Sequence, residues 1–533
     1  MYIDIFKNNG TEYIRLRESY RTKTEDGKIV IRKRTICNIG PLSKFDDGEP
    51  NFLDRLRESF RLGNPIIDEL IPFGKETPLE KYIIRLQEGD PECVGHPKLY
   101  SHVFLDKLFD ELGLSDFFRS YKGFSKIEYD VLNFVKILVY GRILNPDSKM
   151  GTLEQNDDYY TPLLKNFNPY NVYDTLDFIY DNKDKIIRRM NTSLVKKWHR
   201  NPEIIFYDVT NFFFETDDPD EDTFDEEGNL LDPGIRKMGV SKENRKQPIV
   251  QMGLFMDDQG LPISIETFPG NTLDANTFKP AISKSIDGLN YTRFLMVADR
   301  GMCTYQNIFH LLDRNHGYII AKSLLKSTKA EQDWAYAEDG FVQQSKDFKY
   351  KSRIMKRTIQ CADGQKRTVT ENVIVYWSRN FYERDLHENA RFLETLEKIL
   401  INPKGFRITD MQARLMRPFF KDDFFNSETG EVIAASKLRV LLDEDKLEEF
   451  KSHFGYYQII TSEINMPVLE VIEKYHGLSR IEDQFRVMKS DLDTRPVYVR
   501  TREHIEAHLI ICLIALTIIR LIQCKICHSN FSP

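Results

Sequence analysis

The sequence predicts an α/β protein built around a mixed β-sheet. Apolar runs of strand length occupy residues 204–208, 248–256, 261–268, 294–299 and 318–321. The second and third runs flank Asp257-Asp-Gln-Gly260, which favours an antiparallel hairpin, and segments of helical periodicity separate the last three runs. Antiparallel strands followed by helix-linked parallel strands are typical of a mixed sheet.

Residues 1–85 are predicted to form a basic hairpin region. Tyr13-Ile-Arg-Leu-Arg and Lys28-Ile-Val-Ile-Arg alternate apolar and polar side chains around an Asp-Gly turn. The first 40 residues carry nine Lys or Arg against five Asp or Glu, a local charge of +4. Two interpretations stay open: a grip on a duplex backbone, or a solvated strand face.

Residues 86–200 are predicted to be a helical domain, because apolar residues recur at helical spacing from Leu99 onward. Its last segment gathers cations between Arg188 and Arg200. Such a face either lies along a phosphate backbone or is simply solvated, and the solvated face is the more common case.

The sheet is predicted to begin in residues 201–325, to be interrupted by a β-rich insertion at 326–465, and to be completed by helices in 466–533. Nine carboxylates fall within residues 215–227, a density that predicts a mobile, solvated loop and not a metal site. A basic patch follows it, formed by Arg236, Lys237, Lys242, Arg245 and Lys246.

Composition excludes several classes of protein. With 41% hydrophobic and 29% charged residues the chain should fold, and seven scattered cysteines do not form a disulfide framework, which favours a cytoplasmic location. The apolar run at 509–519 is about half the roughly 20 residues of a membrane span, so we expect a buried helix and no membrane partner. The sequence contains no phosphate-cradling loop of the Walker type, so no nucleotide cofactor is implied.

Two carboxylates, Asp208 and Asp299, each stand at the end of an apolar run. If the two strands are neighbours, these side chains converge at one edge of the sheet, as a hard divalent cation requires. Glu482 is a candidate third carboxylate, and Arg486 and Lys489 fall on the same face of a predicted helix at spacings of four and seven. The alternative is a surface helix laced with ion pairs.

The order of five motifs resembles the bacterial insertion-sequence transposases with Asp-Asp-Glu (DDE) chemistry, in the branch with the Tyr-Arg-Glu-Lys signature. The motifs are Phe206-Tyr-Asp208-Val-Thr, Gly239-Val-Ser-Lys242, Phe268-Pro-Gly-Asn271-Thr-Leu-Asp274, Val297-Ala-Asp299-Arg-Gly301 and the segment from Tyr475 to Lys489. Tyr475 precedes Glu482 by seven residues and Lys489 follows it by seven, as in the signature. The sequence departs from the signature at the arginine. Leu478 occupies the position where the signature has arginine, and Arg480 lies two residues later.

The resemblance implies a ribonuclease-H-like catalytic core that hydrolyses DNA at transposon ends and transfers the 3′-OH into target DNA. It assigns Asp208, Asp299 and Glu482 as catalytic ligands of two Mg²⁺ or Mn²⁺ ions. The resemblance also implies double-stranded DNA as partner, a homodimer or larger synaptic complex, and a bacterial, nucleoid-associated location. The residues expected to contact DNA are Tyr475, Arg480, Arg486, Lys489, Lys242 and Arg300.

Two alternatives to an active transposase stay open: a catalytically retired DNA-binding protein of transposase origin, and a stand-alone nuclease of the same fold. In some members of this transposase family a flipped base stacks on an aromatic side chain. Trp334 and Trp377 are candidates for that role, although simple packing is the stronger interpretation of each.

Overall fold

The structure is a computed structural model of the chain. It describes residues 2–8, 10–23, 29–48, 51–61, 66–67, 70, 98–122, 127–200, 202–243, 245–289, 291–361, 364–402, 414–421, 432 and 441–528. The chain divides into two compact units, residues 1–96 and 97–533.

The first unit contains a three-stranded antiparallel sheet in the order β1-β2-β3 and two helices. Its elements are β1 (Tyr2–Asn8), β2 (Thr11–Lys23), β3 (Ile29–Pro41), α1 (Leu42–Phe45) and α2 (Phe52–Arg61). The predicted hairpin is confirmed, since β2 pairs with β3 from Lys23↔Ile29 to Tyr13↔Pro41. Its Asp-Gly turn lies outside the described residues. Ile14 and Leu16 are fully buried against the apolar face of α2.

The second unit begins with six helices, as the apolar periodicity predicts. They are α3 (Ser101–Glu111), α4 (Leu114–Lys122), α5 (Val131–Leu144), α6 (Lys149–Glu154), α7 (Asn171–Asp181) and α8 (Lys183–Trp198). Asp130 and Ser148 cap α5 and α6, each accepting a hydrogen bond from the backbone N–H three residues on. Arg200 is not part of a solvated basic face, because its guanidinium is buried and lies 2.6 Å from Asp257.

A nine-stranded mixed sheet follows, in the spatial order β11-β12-β13-β14-β10-β9-β4-β7-β8. Its strands are β4 (Ile204–Phe213), β7 (Ile249–Asp257), β8 (Pro262–Pro269), β9 (Leu295–Ala298), β10 (Gly317–Ala321), β11 (Val342–Ser345), β12 (Phe348–Gln360), β13 (Lys366–Ser378) and β14 (Tyr456–Thr461). A separate two-stranded ribbon joins β5 (Thr223–Phe224) to β6 (Leu230–Asp232). The pairs β4–β9 and β9–β10 are parallel and the other pairs are antiparallel, so the predicted mixed sheet is confirmed.

The remaining helices that the structure describes lie between and after these strands in the chain. They are α9 (Asp274–Ala281), α10 (Tyr305–Leu312), α11 (Lys329–Tyr336), α12 (Arg379–Ile401), α13 (Glu444–Ser452), α14 (Val468–His476), α15 (Ser479–Arg486) and α16 (Arg502–His528). The strands of the predicted insertion continue the same sheet, because β14 pairs with both β10 and β13.

Helix α16 is the central core helix of the second unit. Its residues from Leu509 to Leu516 are at most 2% exposed, and they share one hydrophobic cluster with α5, α7 and one face of the sheet. By length and composition it is apolar enough to cross a membrane, but 78% of its most apolar window is buried inside the protein. The expected buried helix is therefore confirmed.

Candidate active site

The parallel pairing of β4 and β9 places Asp208 and Asp299 side by side. The last paired residues are Tyr207 and Ala298, and the two aspartates come directly after them. The strands are adjacent, as the convergence argument requires. One detail of the prediction is wrong: β4 does not end at Asp208 but continues to Phe213, because β7 pairs with it from Ile205 to Phe213.

Glu482 lines the same cleft as the two aspartates, a cavity with a volume of 840 Å³. The junction of α14 and α15 sits directly on β4: a Cβ on Gly477 would lie only 2.7 Å from the Phe206 ring. Glycine therefore permits the close approach that brings α15 over the strand that carries Asp208. Asp208, Asp299 and Glu482 all line the cleft, so the structure places the three predicted carboxylates in one cavity.

Asp208 has an unusual ionisation. Burial raises its pKa to about 6, and the neighbouring carboxylates of Asp299 and Asp274 push it in the same direction. Two groups oppose this rise: the ammonium of Lys242 and the backbone N–H of Val209, which donates to Asp208 Oδ1 at 2.7 Å. Lys242 also lines the cleft and is anchored there by donating to the Val209 carbonyl.

Tyr475 contacts the second carboxylate. Its hydroxyl donates to Asp299 Oδ1 at 3.3 Å from the last turn of α14. Burial raises the pKa of Tyr475 far above its usual range, and the charge of Asp299 adds to the shift. The phenol is therefore a neutral donor at working pH, and it can orient the Asp299 carboxylate.

Asp274 is a residue of the site that the sequence argument did not single out. It is the first residue of α9 and lines the same cleft, with Oδ2 3.7 Å from where a Cβ of Gly301 would be. Burial raises its pKa, Lys242 lowers it and Asp299 raises it, so it belongs to the same electrostatic group. The available signal was its place in the third motif, at the end of Phe268-Pro-Gly-Asn271-Thr-Leu-Asp274.

The six residues expected to contact DNA divide into two sets. Tyr475, Lys242 and Arg300 line the cleft. Arg480, Arg486 and Lys489 contact protein groups elsewhere: the Asp258 carbonyl at 2.6 Å, the Asp483 carboxylate at 2.6 Å and the Glu243 carboxylate at 2.8 Å, respectively.

The displacement of Lys489 has a local cause. Helix α15 ends at Arg486, and residues 487–491 form a π-helical turn, whose wider winding changes the face on which later residues lie. The prediction that Lys489 shares a face with Glu482 assumed a regular helix throughout, whereas in the structure Glu482 lines the cleft and Lys489 does not. Lys489 is instead largely buried beside Glu243, which also pairs with Arg495.

The acidic segment and the basic patch pair with each other. Asp220 accepts from the Arg236 guanidinium at 2.7 Å, and Asp222 lies 2.7 Å from the Lys237 ammonium. These two carboxylates are therefore engaged in ion pairs, whereas the sequence predicts that the whole segment is solvated. Arg236 and Lys237 of the basic patch are therefore paired with carboxylates of the same chain.

Both tryptophan candidates are occupied by protein contacts. The Arg353 guanidinium lies 4.0 Å from the centre of the Trp334 ring, and the Trp377 indole donates to the Phe454 carbonyl at 3.1 Å. These contacts agree with the packed interpretation of each residue.

Sequence comparison identifies the family. The family model described as "Transposase DDE domain" matches residues 199–518, more than half of the chain. The chain belongs to the DDE transposase family. The matched region of this DDE transposase spans the strands and helices that carry the three carboxylates. No curated protein matches the chain.

Solved transposase structures show distant likeness. A piggyBac transposase synaptic complex with hairpin DNA is 7% identical, with 81% of this chain and 77% of that chain covered and a TM-score of 0.38. A Mos1 transposase paired-end complex with the left transposon end is 14% identical, with 44% and 62% covered and a TM-score of 0.15. Family membership rests on the match to residues 199–518 and not on these superpositions.

Proposed function

We propose that this protein is the transposase of a bacterial insertion sequence, in the branch with the Tyr-Arg-Glu-Lys signature. The observation that carries the proposal is the convergence of Asp208, Asp299 and Glu482 on one cleft in a chain of the DDE family. The strand order β8-β7-β4-β9-β10 supports the ribonuclease-H-like core that the resemblance implies. The reaction proposed is hydrolysis at the transposon ends followed by transfer of the 3′-OH into target DNA.

The residues of the cleft fit a divalent cation. Asp208, Asp299 and Glu482 offer the oxygen ligands that Mg²⁺ or Mn²⁺ prefers, and we propose two ions per site. Among the described residues, no three His, Cys, Asp or Glu side chains lie close enough to hold an ion by themselves. Mg²⁺ fits such a site, because it is usually held by one or two carboxylates and completed by water and substrate phosphates. When bound, these ions would activate the attacking oxygen and stabilise the leaving one.

The net charge of the cleft supports the proposal that divalent cations bind there. Six carboxylates and four cations line it, a difference of −2: Asp208, Asp274, Asp299, Asp385, Glu388 and Glu482 against Lys242, Arg300, Lys322 and Arg384. A DNA phosphate is repelled by a net negative site, so cations must enter with the substrate or before it.

The side chains of the protein have separate roles in this proposal. Lys242 moderates the negative charge around Asp208 and Asp274, which keeps Asp208 ionised near neutral pH. Tyr475 holds the Asp299 carboxylate by its hydroxyl, and Arg300 offers phosphate donors beside it. Two protomers are expected on paired DNA ends, in the bacterial cytoplasm.

The test measures cleavage and joining of DNA that carries the terminal inverted repeats flanking the reading frame. Incubation of the purified protein with this DNA and Mg²⁺ should give cuts at the repeat boundary and joined products with a target plasmid. Cuts without joined products would favour a stand-alone nuclease. Binding without cuts would favour a retired DNA-binding protein.

A further inference from the structure

One wall of the cleft is aromatic. It is formed where the end of β13, the start of α12, β14 and the end of α14 meet. The rings of Phe381 and Tyr457 lie 4.5 Å apart, and Tyr376 and His476 each lie 6.0 Å from Phe381. All four of these residues line the cleft.

Arg384 lies on this aromatic wall. Its guanidinium carbon is 4.8 Å from the centre of the Phe381 ring and 5.2 Å from that of Tyr457. Stacking on ring faces holds the planar group in place but uses none of its N–H donors, which point outward from the edge of the plane.

Arg384 forms long ion pairs with Asp385 and Glu388 but donates no hydrogen bond to either carboxylate. The nearest carboxylates, Asp385 and Glu388, are 3.8 and 3.7 Å away, beyond hydrogen-bond distance. Arg384 makes no hydrogen bond to any residue that the structure describes, and its side chain is 45% exposed. An arginine has five N–H donors in a fork that matches phosphate oxygens.

The other cations of the cleft lie away from the aromatic wall or are paired within the protein. Lys242 and Arg300 stand on the side of the carboxylates Asp208 and Asp299, while the α14–α15 junction contributes Leu478, which is uncharged. Arg480 is engaged by the Asp258 carbonyl outside the cleft. The fourth cation of the cleft, Lys322, is paired with the Glu331 carboxylate at 3.3 Å. A strand that crosses the cleft would therefore meet Arg384 on the aromatic wall.

We propose that Arg384, stacked on Phe381 and Tyr457, is a phosphate-binding residue that positions the DNA strand against the aromatic wall of the cleft. The proposal rests on the proposed function, because the anion is taken to be a DNA phosphate. Arg384 is a binding residue and takes no part in the chemistry.

The test measures binding of a duplex bearing one terminal repeat in Ca²⁺, over a range of salt concentrations. Arg384→Ala should weaken binding about tenfold and lower the slope of log Kd against log salt by about one, because one phosphate contact is lost. Arg384→Lys keeps the charge but loses the forked arrangement of N–H donors, so its affinity should lie between those of the native protein and Arg384→Ala. The matched control is Arg391→Ala, an exposed arginine on the same helix that does not line the cleft.

A second measurement locates the phosphate. Single methylphosphonate linkages, which remove one phosphate charge at a time, should weaken binding by the native protein at one position and leave Arg384→Ala unaffected there. If Arg384→Ala and Arg391→Ala have equal affinities and salt slopes, or if no linkage distinguishes Arg384→Ala from the native protein, the inference is wrong. The proposed function fails separately, if the native protein gives no cuts at the repeat boundary or no joined products in Mg²⁺.

Discussion

The Tyr475 hydroxyl donates a hydrogen bond to Asp299 across 3.3 Å and so joins the helix before Glu482 to the strand end that carries a predicted metal ligand. This contact links the two halves of the candidate site, which are 176 residues apart in the chain. It follows that the orientation of the Asp299 carboxylate depends on the position of α14.

Tyr475→Phe should keep the fold and slow cleavage. The substitution removes only the hydroxyl that orients Asp299, and loss of such a partner of a metal-binding carboxylate costs about 10- to 100-fold. Single-turnover cleavage of end-bearing DNA in Mg²⁺ measures the effect. Tyr498→Phe, at a tyrosine that is 69% exposed, is the matched control and should be unchanged. Equal cleavage rates for the two variants would show that the Tyr475 hydroxyl has no role in cleavage.

Asp208→Asn should stabilise the protein in metal-free buffer near neutral pH. Burial raises the folded-state pKa of Asp208 from 3.8 to about 6, so the folded state loses stability as pH rises through this interval. Removing the charge should raise the free energy of unfolding at pH 7 by about 1–3 kcal/mol, with no gain below about pH 4. Melting temperatures between pH 4 and 8 test the sign, with Asp181→Asn as the control. A gain of the same size at every pH would contradict the assignment to Asp208 ionisation.

Asp274→Asn should impair the site although the sequence did not single out the residue. Asp274 shares the cleft with Asp208, Asp299 and Lys242, so neutralising it leaves Lys242 with one carboxylate fewer. We expect cleavage to fall about tenfold and the Mg²⁺ concentration for half-maximal rate to rise. A titration of rate against Mg²⁺ measures both quantities, and Asp181→Asn again serves as the control. An unchanged titration would show that Asp274 only lines the wall.

Glu243→Gln and Lys489→Met should be strongly coupled in stability. Glu243 lies between Lys489 and Arg495, and the Lys489 side chain is only 11% exposed. Glu243→Gln leaves two cations without their shared carboxylate, so it should cost about 1–3 kcal/mol and should cost less once Lys489 is replaced. Denaturant unfolding of the two single variants and the double variant gives the coupling. Additive losses, together with weaker DNA binding by Lys489→Met, would instead support the DNA contact that the sequence predicts.

The two strands that carry Asp208 and Asp299 were predictable because short stretches of sequence indicate them. Apolar runs that end near Asp208 and Asp299, separated by helical segments, leave few arrangements other than adjacent strands with converging carboxylates. Glu482 was predictable only through motif order, because nothing in its own helix distinguishes a ligand from a surface glutamate. The same limit explains why Asp274, at the start of an ordinary helix, was not singled out.

The unpredicted parts depend on contacts that no local pattern encodes. A π-helical turn follows Arg486, and Lys489 pairs with Glu243 instead of lining the cleft with Glu482. Arg480 turns toward the Asp258 carbonyl, 222 residues away. The aromatic wall exists because β14 pairs with both β10 and β13, which brings the start of α12 to the cleft.

The most direct test of the central claim compares single-turnover cleavage of end-bearing DNA by the native protein and by Asp208→Asn, Asp299→Asn and Glu482→Gln in Mg²⁺. The account predicts that each substitution lowers the rate by about a thousandfold or more while DNA binding in Ca²⁺ is retained, since each removes a metal ligand without removing a phosphate contact. Full metal-dependent cleavage by any of the three variants would contradict the assignment of that carboxylate to the active site.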